Sequence, residues 1–179
     1  MDGCSFNWEL FFKFMPLLTP IVSVGITWFV YHKWHSQKGK EVIANECKDG
    51  IKTILESCKL LSDIKWDLSL KAEVHLREKL VQDIASFNNL HRTIIKNLLF
   101  LNSLVEEDNL YKLIVKYDKN HAVIKLILQT KMEFYGFKGE SKLQEYYETY
   151  INNTSRITEI MTEYALYRKT PRIKKGQGK

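Results

Sequence analysis

FMPLLTPIVSVGITWFVY, residues Phe14 to Tyr31, is a run of eighteen residues without a formal charge. Coiled at about 1.5 Å per residue it would extend roughly 27 Å, close to the hydrocarbon thickness of a bilayer. Phe11 and Phe12 precede it and Trp34 follows it, as interfacial aromatics flank a span. The run therefore predicts a transmembrane helix over 14–34, preceded by a short N-terminal segment, 1–13. Asp2 and Glu9 stand against a single base, Lys13, before the run, and bulky Trp28, Phe29, Tyr31 and Trp34 close it. Neither feature suits a cleaved leader, so the sequence predicts a retained, single-pass signal-anchor. Lys33, Lys38 and Lys40 follow the run, and the positive-inside rule then predicts the N-terminus outside and the C-terminal part in the cytoplasm. The expected location is the cell membrane.

Within the run, Thr19, Ser23 and Thr27 recur every four residues and share one helix face near Gly25. Small and hydroxylated residues at that spacing let helices approach closely, so this stripe is the expected oligomer face of the span. Pro16 and Pro20 remove two backbone donors, and local hydroxyl-to-carbonyl bonding is the alternative use of the same side chains.

Beyond the run the composition turns to Lys, Glu, Leu and Ile, with glycine and proline sparse. That pattern predicts an all-α fold, a long-helix cytoplasmic bundle over 35–167. Ile43, Cys47, Ile51, Ile54, Cys58 and Leu61 step by four and three, a heptad-like, coiled-coil seam that could continue the first helix through Gly39. A break near Trp66–Ser69 leads to a second stripe of Leu76, Leu80, Ile84, Phe87, Ile94, Leu98 and Leu101. Ser103 with Glu106 reads as a capping box opening a third helix of Leu110, Leu113, Ile114 and Tyr117, with Glu107 and Asp108 in its first turn. A turn or kink is expected at 118–120 before Val123, Ile124, Ile127 and Leu128. Gly136 and Gly139 mark a loop, Ser141 with Gln144 reads as another capping box, and Pro171 closes the last helix.

The net charge of +6 has a definite address. Arg168, Lys169, Arg172, Lys174, Lys175 and Lys179 are the six charged residues of the last twelve, and the rest of the chain is electrically balanced. The segment 168–179 therefore reads as a basic, disordered tail that could meet anionic lipid or nucleic acid. The basicity is not a property of the bundle.

Local signatures of catalysis are missing from the sequence. Cys4, Cys47 and Cys58 are too few and scattered for a disulfide framework or zinc site, and Cys47 and Cys58 read as helix-core thiols. The glycines form no phosphate-binding loop and no H-E-x-x-H occurs. His91-Arg92 and Lys119-Asn120-His121 have the wrong order, or lack the arginine, for the Arg-then-His pair of helical ribonucleases. No catalytic, cofactor or metal residue is assigned. The tyrosines Tyr146, Tyr147, Tyr150, Tyr164 and Tyr167, beside Lys142 and Arg156, fit a helix core edge more readily than a base-stacking surface.

The function these features favour is a membrane-anchored interaction, scaffold or regulatory protein, more a binding module than an enzyme. Its bundle would face a protein partner, as a possible homo-oligomer. A membrane-perturbing effector of toxin or abortive-infection type is the alternative, resting on the stripe. A tethered, nuclease-like enzyme is the other; it needs a polar cluster inside the bundle, with His75, His91, Arg92 and His121 as its candidates.

Overall fold

The computed structural model describes residues 8–69, 74–105, 107, 109–133 and 140–169, without the side chains of 8–11, 17, 74–77, 131–133 and 140–141. Its regular elements are four α-helices: α1 Trp8–Ser69, α2 Val74–Leu104, α3 Leu110–Glu133 and α4 Glu140–Ala165. The all-α class and the helical bundle are as expected. The chain divides into two compact units, residues 1–41 and 42–179.

In the second unit each helix buries a stripe whose positions alternate by four and three, the period that keeps one face toward its neighbours. On α1 the stripe is Ile43, Cys47, Gly50, Ile54, Ser57, Leu61 and Ile64, with Ala44 and Asp67 buried beside it. Those of α2 are Leu80, Ile84, Phe87, His91, Ile94, Leu98 and Leu101, continued by Val105. Leu110, Ile114, Tyr117, His121, Ile124 and Leu128 serve α3, and Leu143, Tyr150, Thr154, Ile157, Met161 and Tyr164 serve α4. Ile51 and Cys58, expected in the α1 seam, are only partly buried against it. Gly50 and Ser57 hold the true seam positions. Gly50 is there for space, because the Met161 methyl occupies the volume that a Cβ would need.

Several expected boundaries move. No capping box opens α3 at Ser103, which lies inside α2 and donates its hydroxyl to the Phe100 carbonyl at 2.6 Å. That back-bond to a carbonyl of its own helix competes with an N-cap role. Glu106 and Asp108 lie outside the described residues, as do the loop glycines Gly136 and Gly139, the side chains of Leu76 and Ser141, and Pro171. The turn expected as one alternative at 118–120 does not form, since α3 runs through it. Asp118 and Asn120 have partners on neighbouring helices, described below. Helix α1 likewise continues through Pro16, Pro20 and Gly39.

The last helix ends at Ala165 in a Schellman turn. Arg168 N–H donates to Glu163 O at 2.9 Å and Tyr167 N–H to Tyr164 O at 3.1 Å. Tyr167 takes the left-handed position with φ 56°, where glycine is the usual occupant. Lys169 then pairs with Glu107, which also accepts from the Tyr164 hydroxyl at 3.2 Å. Arg168 and Lys169, expected in a disordered tail, are thus part of the folded unit. Arg172, Lys174, Lys175 and Lys179 lie outside the described residues.

Among the described residues no helix is long and apolar enough to cross a membrane. The span expected over 14–34 gains no support from that measure. Pro16, Thr19, Pro20, Ser23, Gly25 and Thr27 dilute its aliphatic content, His32 and Lys33 enter before Trp34, and Leu17 is outside the described side chains.

Candidate functional site

The apolar stripes of the bundle are interrupted at matching depth by polar residues from all four helices. Ser57 of α1 lies 2.7 Å from the Tyr150 hydroxyl of α4, which lies 3.0 Å from the Tyr117 hydroxyl of α3. Beside them Cys58 Sγ is 3.5 Å from Thr154 Oγ1. Tyr117 and Tyr150 are fully buried. Burial pushes both phenols well above their ordinary range, so they are neutral donors, not phenolate nucleophiles.

Next to this hydroxyl chain lie two histidines that the heptads of α2 and α3 carry into the core. The rings of His91 and His121 stack with centroids 3.5 Å apart and planes within 6° of parallel. Tyr117 packs on His91 at 5.1 Å, and Phe87 on His121 at 4.9 Å. His91 Nε2 donates to Asp118 Oδ1 at 3.0 Å, and Asp118 is largely exposed, so the cluster reaches the surface there. Asn120 donates to the Tyr146 carbonyl of α4 at 3.1 Å. These bonds help the polar run 118–120 stay helical: Asp118 and Asn120 each bond to a neighbouring helix, and Lys119 faces solvent. Burial holds the imidazole of His91 below its ordinary range, and that of His121 down to about 3, with His91 and Lys125 adding repulsion. His91 Nδ1, His121 Nε2 and Asn120 Oδ1 are buried without a hydrogen-bond partner among the described residues.

What this cluster can do chemically is limited by its geometry. Two parallel imidazoles direct their in-plane lone pairs along parallel planes and do not converge on one ion. Among the described residues no group of three or more His, Cys, Asp or Glu could hold a metal. An Asp–His pair can orient a general base, but the nearby hydroxyls are bonded to one another within a packed core. The arrangement fits a register device: a polar layer whose partners meet only when all four helices are aligned. Of the enzyme candidates, His91 and His121 meet, Arg92 is exposed outside the buried stripe of α2, and His75 lies outside the described side chains.

The other feature is in the first unit. Trp28, Phe29, Val30 and Tyr31 are consecutive, about 100° apart around the helix, and 68, 63, 57 and 59 % exposed. Phe12, Phe14, Met15, Leu18, Ile21, Val22, Val24, Ile26 and Trp34 are exposed as well. This is an apolar surface on every side of a helix, not a stripe. The proposed oligomer face spends its donors within α1: Thr19 donates to Met15 O, Ser23 to Thr19 O and Thr27 to Ser23 O, each at 2.8 Å. Of the tyrosines, Tyr150 and Tyr164 are buried, Tyr146 and Tyr147 pack partly buried against the core with Lys65 Nζ 4.5 Å over the Tyr147 ring, and Tyr167 is exposed beyond the helix end.

The layer was partly legible. Its histidines fall in the gaps of otherwise apolar heptads, His91 between Phe87 and Ile94, His121 between Tyr117 and Ile124. Comparison with known proteins finds no family model, curated protein or solved structure that matches this chain.

Proposed function

We propose that this protein is a membrane-anchored interaction module whose α1 seats its apolar stretch in a bilayer and whose bundle meets a protein partner in the cytoplasm. The observation that carries the reading is the all-round exposure of large apolar side chains from Phe12 to Trp34. A helix apolar on all sides is ordinarily covered, by the core of a large protein or by lipid. Eighteen uncharged residues match the bilayer's hydrocarbon thickness at about 1.5 Å each. Distribution, not mean hydropathy, is what favours lipid as the cover. The bases Lys33, Lys38 and Lys40 after the stretch favour a cytoplasmic bundle, with the N-terminus outside.

Neither rival reading has an equal observation behind it. A membrane-perturbing effector drew on the Thr19, Ser23, Thr27 stripe, whose hydroxyl donors are used within the helix. The tethered enzyme gains the His91–His121 meeting, but those rings are enclosed by Phe87 and Tyr117. Oligomerisation and the partner are tested together by expressing the full-length protein, crosslinking it in its membrane and identifying what is joined to the bundle. A specific partner joined to residues 42–169 supports the module. Unchanged partner capture with the bundle's core disrupted by Tyr150→Asp would count against it.

A further inference from the structure

We propose that the end of the apolar stretch carries a phosphate-recognising lipid site: an open recess on α1 lined by Trp28, Phe29, His32, Lys33 and Ser36 that takes the headgroup of an anionic phospholipid. The inference rests on the membrane-anchored reading and adds a ligand to it.

The recess has a volume of about 420 Å³ and lies along one side of a single helix. Its lining is ordered along the axis. Trp28 and Phe29 come first, and His32, Lys33 and Ser36 follow one and two turns later, since residues four and seven apart share a face. An aromatic pair followed by donors about one turn, roughly 5.4 Å, further on matches the passage from acyl and glycerol region to phosphate. The indole of Trp28 lies beside the His32 ring, with centroids 5.8 Å apart.

The donors are free to bind. Thr19, Ser23 and Thr27 each return their hydroxyl to a carbonyl one turn back. Ser36, the next hydroxyl along the same helix, makes no such bond and keeps its donor for a ligand. Lys38 is engaged by Glu41 at 3.1 Å, whereas Lys33 has no acidic partner among the described residues. One unpaired ammonium, one hydroxyl and one ring N–H over an aromatic floor are complementary to a phosphodiester. The commitment is to lipid, because the aromatic floor would have no role toward a free anion.

The test uses the full-length protein in two steps. Flotation with neutral phosphatidylcholine vesicles asks only whether the protein is anchored. Native mass spectrometry after extraction from bilayers of equal phosphatidylcholine and phosphatidylglycerol then reads the lipids retained. Wild type is expected to favour phosphatidylglycerol about fivefold, the ratio one lysine near a headgroup supplies. Lys33→Gln with Ser36→Ala should still float and bring the ratio close to one, while Lys13→Gln at the other end leaves it unchanged. Equal retention by wild type overturns the site and spares the anchor, as does a preference that survives in the double variant or is erased by inorganic phosphate. Failure to float with neutral vesicles overturns the anchor and the site with it.

Discussion

Removing the Tyr150 hydroxyl should cost more than removing any other single oxygen in the bundle. It is the middle of three: Ser57 on one side at 2.7 Å, Tyr117 on the other at 3.0 Å, all buried. Tyr150→Phe breaks two hydrogen bonds worth about 1 kcal/mol each and leaves a buried hydroxyl short of a partner, for a further ~1 kcal/mol. Local rearrangement of the Ser57 and Tyr117 hydroxyls, both of which face Tyr150, recovers part of that last contribution. The expected loss is about 2–3 kcal/mol. Tyr117→Phe breaks only the outer bond and should cost about 1 kcal/mol. Combining Ser57→Ala, Tyr117→Phe and Tyr150→Phe leaves no orphan and should return stability to within about 1 kcal/mol of wild type, because apolar replacement of a whole network is nearly neutral. Urea unfolding of the full-length protein in mild detergent, followed by far-UV circular dichroism at neutral pH, gives all three values. Both phenols are held protonated there by burial, so ionisation does not enter. Equal costs for the two Tyr→Phe changes, or a triple variant weaker than Tyr150→Phe, would refute the layer as a coupled network.

Three further outcomes follow from other parts of the fold. His121 is neutral in the folded state down to about pH 3, whereas an unfolded histidine takes its proton near pH 6.5. Its contribution is intact above pH 6.5 and is lost as pH falls from there toward 3, about 1–2 kcal/mol by pH 4.5 after discounting for solvent access. His121→Phe should therefore flatten the decline between pH 6.5 and 4.5 relative to wild type, and parallel curves would exclude the effect. Tyr167→Gly should stabilise by about 1 kcal/mol in the same unfolding assay, since glycine takes φ 56° without the Cβ penalty; a loss would mean that the Tyr167 ring contributes more than its backbone costs. Gly50→Val should destabilise by about 1–3 kcal/mol through overpacking against the Met161 methyl, and Met161→Ala should recover part of it. Additive costs in the double variant would place the strain elsewhere.

The helices are legible because their apolar spacing is regular, and for the same reason the polar layer shows only as gaps in that spacing. Gly50, Ser57 and His91 occupy seam positions that an apolar pattern skips, so the sequence points to Ile51 and Cys58 in the α1 seam and leaves a gap at position 91 in α2. A strict alternation of four and three would have placed Gly50, Ser57, His91 and His121 in the core directly. Local signals misled where tertiary partners decided the outcome. Ser103 had a carbonyl of its own helix to bond, and Asp118 and Asn120 had partners on α2 and α4, so neither a cap nor a turn was needed. The left-handed Tyr167 leaves no mark in sequence, because the residue that signals such a turn is glycine. The apolar stretch of α1 was plain in the chain, while the pairing of Ser36 and Lys33 on one recess needed coordinates.

Alkaline carbonate extraction of membranes from cells expressing the full-length protein tests the anchored reading most directly. Retention in the membrane pellet under conditions that strip peripheral proteins is the expected result. Release of the protein into the supernatant would mean that the apolar surface from Phe12 to Trp34 is covered by something other than a bilayer, and would contradict the anchor.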